Sequence, residues 1–232
     1  MKKNLLSKNF HQWLFLLVCF VATLPSWAEN YTKDGIIYDI NTSTNTATVK
    51  GLEDKSATSA EIRNRVAGCK VTSIGLGAFY GCSSLTSINI PNSVTIIGLQ
   101  AFDGCSALTS INIPSSVTDI AYYAFSGCSS LTSINIPSSV TKIGSSAFNG
   151  CSSLTALTVD ANNPNYSAEG CMLFDKKKTT LIRAVGSQQT YDIPSSVTSI
   201  EAIAFSGCSS LTSINIPSSV TSIESSAFYD CI

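Results

Sequence analysis

The chain has 232 residues, of which 14 are Lys or Arg and 15 are Asp or Glu, so its net charge is close to zero. This balance argues against a nucleic-acid partner, because binding to phosphates needs a basic surface. The single histidine, His11, lies within residues 1–28, which we expect to be removed on export. Without it, neither a Ser-His-Asp or Cys-His catalytic unit nor a His-ligated zinc site can form.

The first 28 residues have the pattern of an export signal. Three lysines precede an apolar run over residues 13–24, and Pro25 with the small residues after it leads to a cleavage point after Ala28. The run of about twelve residues is shorter than the ~20 needed to span a membrane, so no transmembrane span is predicted. Removal of residues 1–28 leaves 11 basic and 15 acidic residues and takes away both tryptophans. We therefore expect an exported chain, secreted or at the cell surface, with a net charge of about −4.

Residues 29–70 are predicted to form an N-terminal cap. Two strand-like stretches, 35–40 and 46–52, flank a turn-rich segment and predict a β-hairpin. Such a hairpin would cover the apolar end of a repetitive structure, whose open first coil would otherwise leave strand edges in water.

A repeat of 23 residues dominates the rest of the chain, residues 71–232. Its most regular marker is a phenylalanine, at Phe79, Phe102, Phe125, Phe148, Phe205 and Phe228. A constant period of this length predicts a stack of near-identical coils with short parallel strands rather than a globule with one central core. Within a coil, the spacing of Leu85, Ile88 and Ile90 places their side chains inward and leaves Ser87 and Asn89 outward.

One coil is longer than the others. Between Phe148 and Phe205 lie two coils and eleven additional residues, which we place in an insertion over about 160–186. We expect a loop or hairpin that protrudes from the stack. It carries Tyr166 and the basic run of Lys176, Lys177 and Lys178, a second candidate binding surface or simply a solvated loop tip.

The repeats share the consensus AFxGCSSLTSINIPSSVTSIG, and one coil is interrupted, with the sequence LTVDANNPNYS…LFDKKKTTLI. This pattern resembles the BspA-like leucine-rich-repeat family of bacterial surface proteins, of the Bacteroidetes type. The resemblance covers residues 71–232 and implies a right-handed β-rich solenoid of 23-residue coils with one elaborated coil. Members of this family are secreted or displayed at the cell surface, and some are implicated in adhesion to host matrix proteins or in aggregation with other bacteria. The resemblance implies such a role here without identifying a partner.

The principal candidate binding surface is a strip of neutral polar side chains that face outward on the predicted strands. Its members are Ser87, Asn89, Ser110, Asn112, Ser133, Asn135, Ser213 and Asn215. Stacked Asn side chains could instead bond to one another and support the fold. The strip offers roughly 300–400 Å², which is less than the ~800 Å² per partner of a standard interface, so binding through it should be weak and depend on many copies.

Six cysteines share one coil position: Cys82, Cys105, Cys128, Cys151, Cys208 and Cys231. They should stand about 4.8 Å apart on successive coils. We favour a buried ladder of reduced thiols, because each would have equivalent neighbours on both sides and adjacent strands seldom allow the disulfide torsion. Disulfides, which export permits, and a metal site are the alternatives.

The sequence thus predicts a non-catalytic binding protein that contacts a host extracellular-matrix protein, a glycan or another cell. No catalytic residue, cofactor or metal ligand is predicted. The alternative is an architectural component of the cell envelope or of a surface assembly. Because the sequence ends at the start of a new coil, the C-terminal coil is expected to fray or to pair with a second copy of the chain.

Overall fold

The structure, a computed structural model, describes residues 29–231. The predicted export signal lies outside these residues. The N-terminal cap consists of antiparallel strands β1 (Glu29–Lys33), β2 (Ile36–Asn41) and β3 (Thr46–Leu52). The predicted hairpin is therefore present, and β1 adds a third strand to it. Alternate residues of β2 point to the core, where Ile36 and Tyr38 are fully buried, as expected for a sheet with one covered face.

The cap joins the stack through one sheet. Strand β3 pairs in parallel with β6 (Cys69–Ile74), which also pairs with the short β5 (Arg65–Val66). Strand β4 (Ser59–Glu61) pairs in parallel with β7 (Ser87–Asn89), with Ser59 opposite Ser87. Because β4 is continuous with the strip-bearing strands, the first rung of the stack already lies within the segment 29–70.

Every regular coil contributes one segment to each of two opposite walls. The first wall contains β4, β7, β10 (Ser133–Ile136) and β12 (Ala156–Val159), with parallel bridges between Ser110 and Ser133 and between Asp192 and Asn215. The second wall contains β6, β8 (Ile96–Ile97), β9 (Asp119–Ile120) and β11 (Lys142–Ile143). Ile74, Ile97 and Ile120 are paired in succession, so residues one repeat apart lie over one another.

The core is a set of side-chain ladders between the two walls. Phe79, Phe102, Phe125 and Phe148 stack with ring centroids 5.1, 5.3 and 5.8 Å apart and with almost parallel planes. All four are buried. Offset parallel contacts of this kind add to the hydrophobic gain of burial. The repeated sequence therefore produces repeated contacts, and each coil is stabilised by its neighbours.

The insertion is a three-stranded antiparallel unit, with β13 (Tyr166–Glu169), β14 (Met172–Asp175) and β15 (Thr180–Ala184). The expectation that it protrudes from the stack is wrong. Met172, Leu173 and Phe174 of β14 are buried in the common core. The second wall then resumes as β15 pairs in parallel with β16 (Ser199–Ile200), which pairs with β17 (Ser222–Ile223).

Candidate binding surface

The polar strip lies on the first wall as the alternation of inward and outward residues predicted. In β7 and β10, buried Ile88 and Ile134 alternate with the exposed side chains of Ser87 and Asn89 or Ser133 and Asn135. All eight predicted members of the strip are exposed: Ser87, Asn89, Ser110, Asn112, Ser133, Asn135, Ser213 and Asn215. The structure thus arranges them as a row on one surface.

The asparagine side chains of the strip do not form the ladder that would make them structural supports. Between residues 29 and 231, no hydrogen bond joins Asn89 to Asn112 or Asn112 to Asn135. One side-chain bond occurs within the row, from Thr158 Oγ1 to Asn135 Oδ1 at 2.9 Å. The other amide groups face solvent with both donors and acceptors available, which is the arrangement that a hydrogen-bonding ligand needs.

The insertion places its candidate residues differently. The hydroxyl oxygen of Tyr166 accepts a hydrogen bond from the amide of Ile143 at 3.1 Å, and burial raises the pKa of this phenol. Lys176 Nζ donates to the carbonyl oxygen of Ala161 at 2.8 Å, and Lys178 pairs with Glu169. Two of the three lysines are therefore engaged within their own coil. The basic run is therefore mainly part of an internally bonded loop rather than a cationic surface with all three ammonium groups available.

The turns carry a second exposed surface, which is apolar. Leu76, Leu99 and Tyr122 occupy one coil position on three successive rungs, with 71%, 41% and 57% of their surface exposed. Tyr123 is also exposed beside them, and Ile96 lies on the neighbouring strand. We call Leu76, Leu99 and Tyr122 the apolar ridge. An alignment of the coils would have revealed the ridge, because this position is apolar or aromatic on three rungs and is a serine, Ser145, on the next.

Five of the six cysteines of the ladder are buried, and Cys231, on the last described coil, is partly exposed. The Sγ atoms of Cys105, Cys128 and Cys151 donate to the carbonyl oxygens of Phe79, Phe102 and Phe125 at 3.1–3.2 Å. All eight cysteines of the described chain are free thiols. Because each thiol supports the turn of the preceding coil, the ladder has a structural role, and burial raises the pKa of Cys105 and of Cys151 to about 12.

These raised pKa values predict an alkaline loss of stability. An unfolded thiol ionises near pH 8.5 whereas buried Cys105 stays protonated, so the folded state binds more protons between about pH 9 and 12 and its free energy of unfolding falls as pH rises. Each such thiol contributes about 1.4 kcal/mol per pH unit in that window. Urea unfolding of Cys105→Ala should show a shallower slope against pH than the unmodified chain, and equal slopes would contradict the assignment.

Within residues 29–231, no group of three or more His, Cys, Asp or Glu side chains is arranged to hold a metal ion. The same part of the chain contains no helix whose length and apolar character would let it cross a membrane.

The coils match the profile of the BspA type leucine-rich repeat region in six copies, over residues 55–174 and 183–232. The chain belongs to the BspA-type leucine-rich repeat family. The match includes β4, which agrees with a stack that begins before residue 71. No curated protein matches this BspA-type chain.

Solved structures share the fold of this BspA-type protein. A leucine-rich repeat protein from Eubacterium ventriosum is 25% identical with a TM-score of 0.62; the match covers 86% of this chain and 62% of that one. A repeat protein from Bacteroides capillosus is 28% identical with a TM-score of 0.51, over 57% of this chain and 99% of that one. The pneumococcal vaccine antigen PcpA is 22% identical with a TM-score of 0.62, over 90% and 69% of the two chains. This chain thus spans less than two thirds of the E. ventriosum protein.

Proposed function

We propose that this protein is displayed or secreted by a bacterium and binds a host matrix protein, a glycan or a neighbouring cell without catalysis. The observation that supports this role most directly is the row of exposed Ser and Asn side chains, most of whose amides have no partner in the described chain. Membership of a family of bacterial surface proteins agrees with it. The strip presents donors and acceptors in a fixed row, as recognition of hydroxyl groups or of an extended peptide requires.

The apolar ridge gives this role a second support. Exposed Leu76, Leu99 and Tyr122 lie together on consecutive rungs, whereas single exposed apolar residues are normal on any protein. Exposed apolar clusters mark interaction surfaces. The two surfaces differ in chemistry, so variants of each distinguish a polar contact from an apolar one.

Binding should depend on the number of copies. One strip is smaller than a standard interface, so a single chain is expected to bind weakly, and linking several chains should raise the apparent affinity by about 10²–10⁴. The test is a binding screen of residues 29–232, as a monomer and as a streptavidin-linked tetramer, over immobilised matrix proteins and glycans. Saturable binding by the tetramer alone would support the proposal, and no binding by either form would contradict it.

Matched variants locate the contact. We expect the triple variant Asn89→Ala, Asn112→Ala, Asn135→Ala to lower tetramer binding at least tenfold, because each removed amide takes away hydrogen bonds to the partner. The control is Lys176→Ala, Lys177→Ala, Lys178→Ala, which leaves the strip intact. Point changes are used in the insertion because deleting it would remove the buried strand β14. If the strip variant binds as the unmodified tetramer does, and a Leu76→Ser, Leu99→Ser, Tyr122→Ser variant binds less, the contact lies on the apolar ridge.

The alternative role is architectural and rests on the last described coil. Ile216 and Ile223 are 37% and 47% exposed, whereas the equivalent Ile136 and Ile120 are almost fully buried. In this chain a second copy could cover these side chains, which would give self-association without binding to host molecules. Sedimentation velocity distinguishes the roles: concentration-dependent dimers that are lost in Ile216→Lys, Ile223→Lys would favour the architectural one.

A further inference from the structure

The ladder of turn hydrogen bonds is interrupted where the elaborated coil follows Phe148. In regular coils the phenylalanine turn donates backbone amides to the next rung, as from Phe102 to Ala124 O and from Phe125 to Ala147 O, both at 2.8 Å. The coil after Phe148 has a shorter turn than the regular coils. Its cross-rung amide belongs to Ala184, the last residue of β15, which donates to Ala204 O at 2.8 Å. As a result, the buried residues Ser146 and Phe148 have backbone amides without a hydrogen-bond partner in residues 29–231.

The side chain of Arg183 enters this gap. Its Nη2 donates to Asn149 Oδ1 and to the carbonyl oxygen of Ser206, each at 2.7 Å, and its Nη1 donates to the carbonyl oxygen of Ile203. At Ser206 the guanidinium replaces the backbone donor of a regular turn, since the equivalent Ser126 O accepts from the amide of Gly104 at 2.8 Å. A guanidinium has no acceptor atom, so Arg183 cannot accept hydrogen bonds from the amides of Ser146 and Phe148.

The guanidinium is a buried charge without a counter-ion in the protein. Arg183 is 6% exposed, its Nε has no hydrogen-bond partner, and no ion pair within the described chain includes it. Burial lowers the pKa of its side chain. Isolated buried charges are strongly unfavourable, and buried arginines are normally paired with an anion.

A cavity of about 30 Å³ lies against these groups, and Ser146, Phe148, Leu173 and Arg183 are among the residues that line it. Glu201 also lines it but is outside ion-pair distance of the guanidinium. A volume of this size holds a water molecule or a monatomic ion of similar size, but it is small for a polyatomic oxyanion.

We infer that this cavity binds one monovalent anion of halide size between the amides of Ser146 and Phe148 and the guanidinium of Arg183. The site then contains the acceptor that the two amides lack and the negative charge that the arginine lacks. Backbone amides beside a cation are a recurrent arrangement for anions. The ion would join the rungs on either side of the shortened turn. This role is independent of partner binding at the strip.

The first test compares chloride with gluconate, which is too large for the cavity, at constant ionic strength. Chloride should raise the Tm of residues 29–232 saturably by about 2–4 °C relative to gluconate. The increment should disappear in Arg183→Met and persist in Arg63→Met, a control at an exposed arginine. Equal Tm values in the two salts, or an increment that survives in Arg183→Met, would overturn the inference.

A second measurement needs no variant, in case Arg183→Met does not fold. In the unmodified chain, replacing gluconate by chloride should shift the amide NMR resonances of Ser146 and Phe148 along a saturable curve. The amides of Phe102 and Phe125, which already donate to Ala124 and Ala147, serve as internal controls and should not move. If the resonances of all four residues shift together, or if none shifts, no ion binds in this cavity.

Discussion

Phe125→Ala should lower the free energy of unfolding by about 3–5 kcal/mol, among the largest effects that a single substitution can have in this chain. The ring of Phe125 is fully buried and lies between Phe102 at 5.3 Å and Phe148 at 5.8 Å. Removing it leaves a cavity that neither neighbour can fill and breaks two stacking contacts at once. Urea unfolding followed by circular dichroism measures the loss.

Phe228→Ala is the matched control for this prediction. Phe228 stacks on one neighbour, Phe205 at 5.0 Å, and is only partly buried. We expect it to cost about 1–2 kcal/mol, since less apolar surface returns to water. Because stability in a repeat array depends on contacts between neighbours, Phe125→Ala should also broaden the transition or split it into two steps. Equal effects at the two positions would contradict a ladder in which interior rungs carry more contacts.

Asn163→Ala is expected to lower the free energy of unfolding by about 3–4 kcal/mol, because it leaves several buried polar groups without partners. The Nδ2 of this fully buried side chain donates to the carbonyl oxygens of Pro137 and Val140 at 2.8 and 3.0 Å. Its Oδ1 accepts from the amides of Asn165 and Tyr166, both at 2.9 Å. Asn163 thus fixes the point where the chain leaves the regular coil for β13.

The control is Asn162→Ala, one residue earlier and exposed, whose side chain makes no hydrogen bond in the described chain and which should change stability by less than about 0.5 kcal/mol. Asn163→Asp is a sharper variant, since it keeps the shape of the side chain but places a carboxylate oxygen against two carbonyl oxygens. We expect it to be at least as destabilising as Asn163→Ala. Thermal unfolding of the three variants at pH 7 gives the comparison, and a neutral Asn163→Asp would show that the two donated bonds contribute little.

The regular coils could be predicted from the sequence because translation repeats the same environment. Once Leu85 and Ile88 are assigned inward, the period places their equivalents and the exposed strip as well. The first rung was not recognised in the sequence because it has Ala60 where the next coil has Ile88. The backbone position is the same, but the residue does not match the repeat motif.

The elaborated coil could not be predicted in the same way, since its residues have no equivalent copy in the sequence. The burial of β14 follows from the apolar run Met172-Leu173-Phe174, which was a usable signal. The oxygen atoms to which Arg183 and Asn163 donate lie on other rungs, and no local pattern indicates them. The strip was found because exposure alternates with burial along a strand, whereas its partner depends on chemistry that identical coils do not encode.

The claim on which the rest depends is that equivalent residues lie directly over one another, so that the strip is one continuous row. Spin labels at Ser59 paired with Ser133, Ala156 or Ser213 test it most directly by dipolar distance measurement. With one rung per strand spacing, the backbone separations should be about 14, 19 and 29 Å and grow in proportion to the number of rungs between the labels. Separations that do not increase along this series would contradict the stacked arrangement.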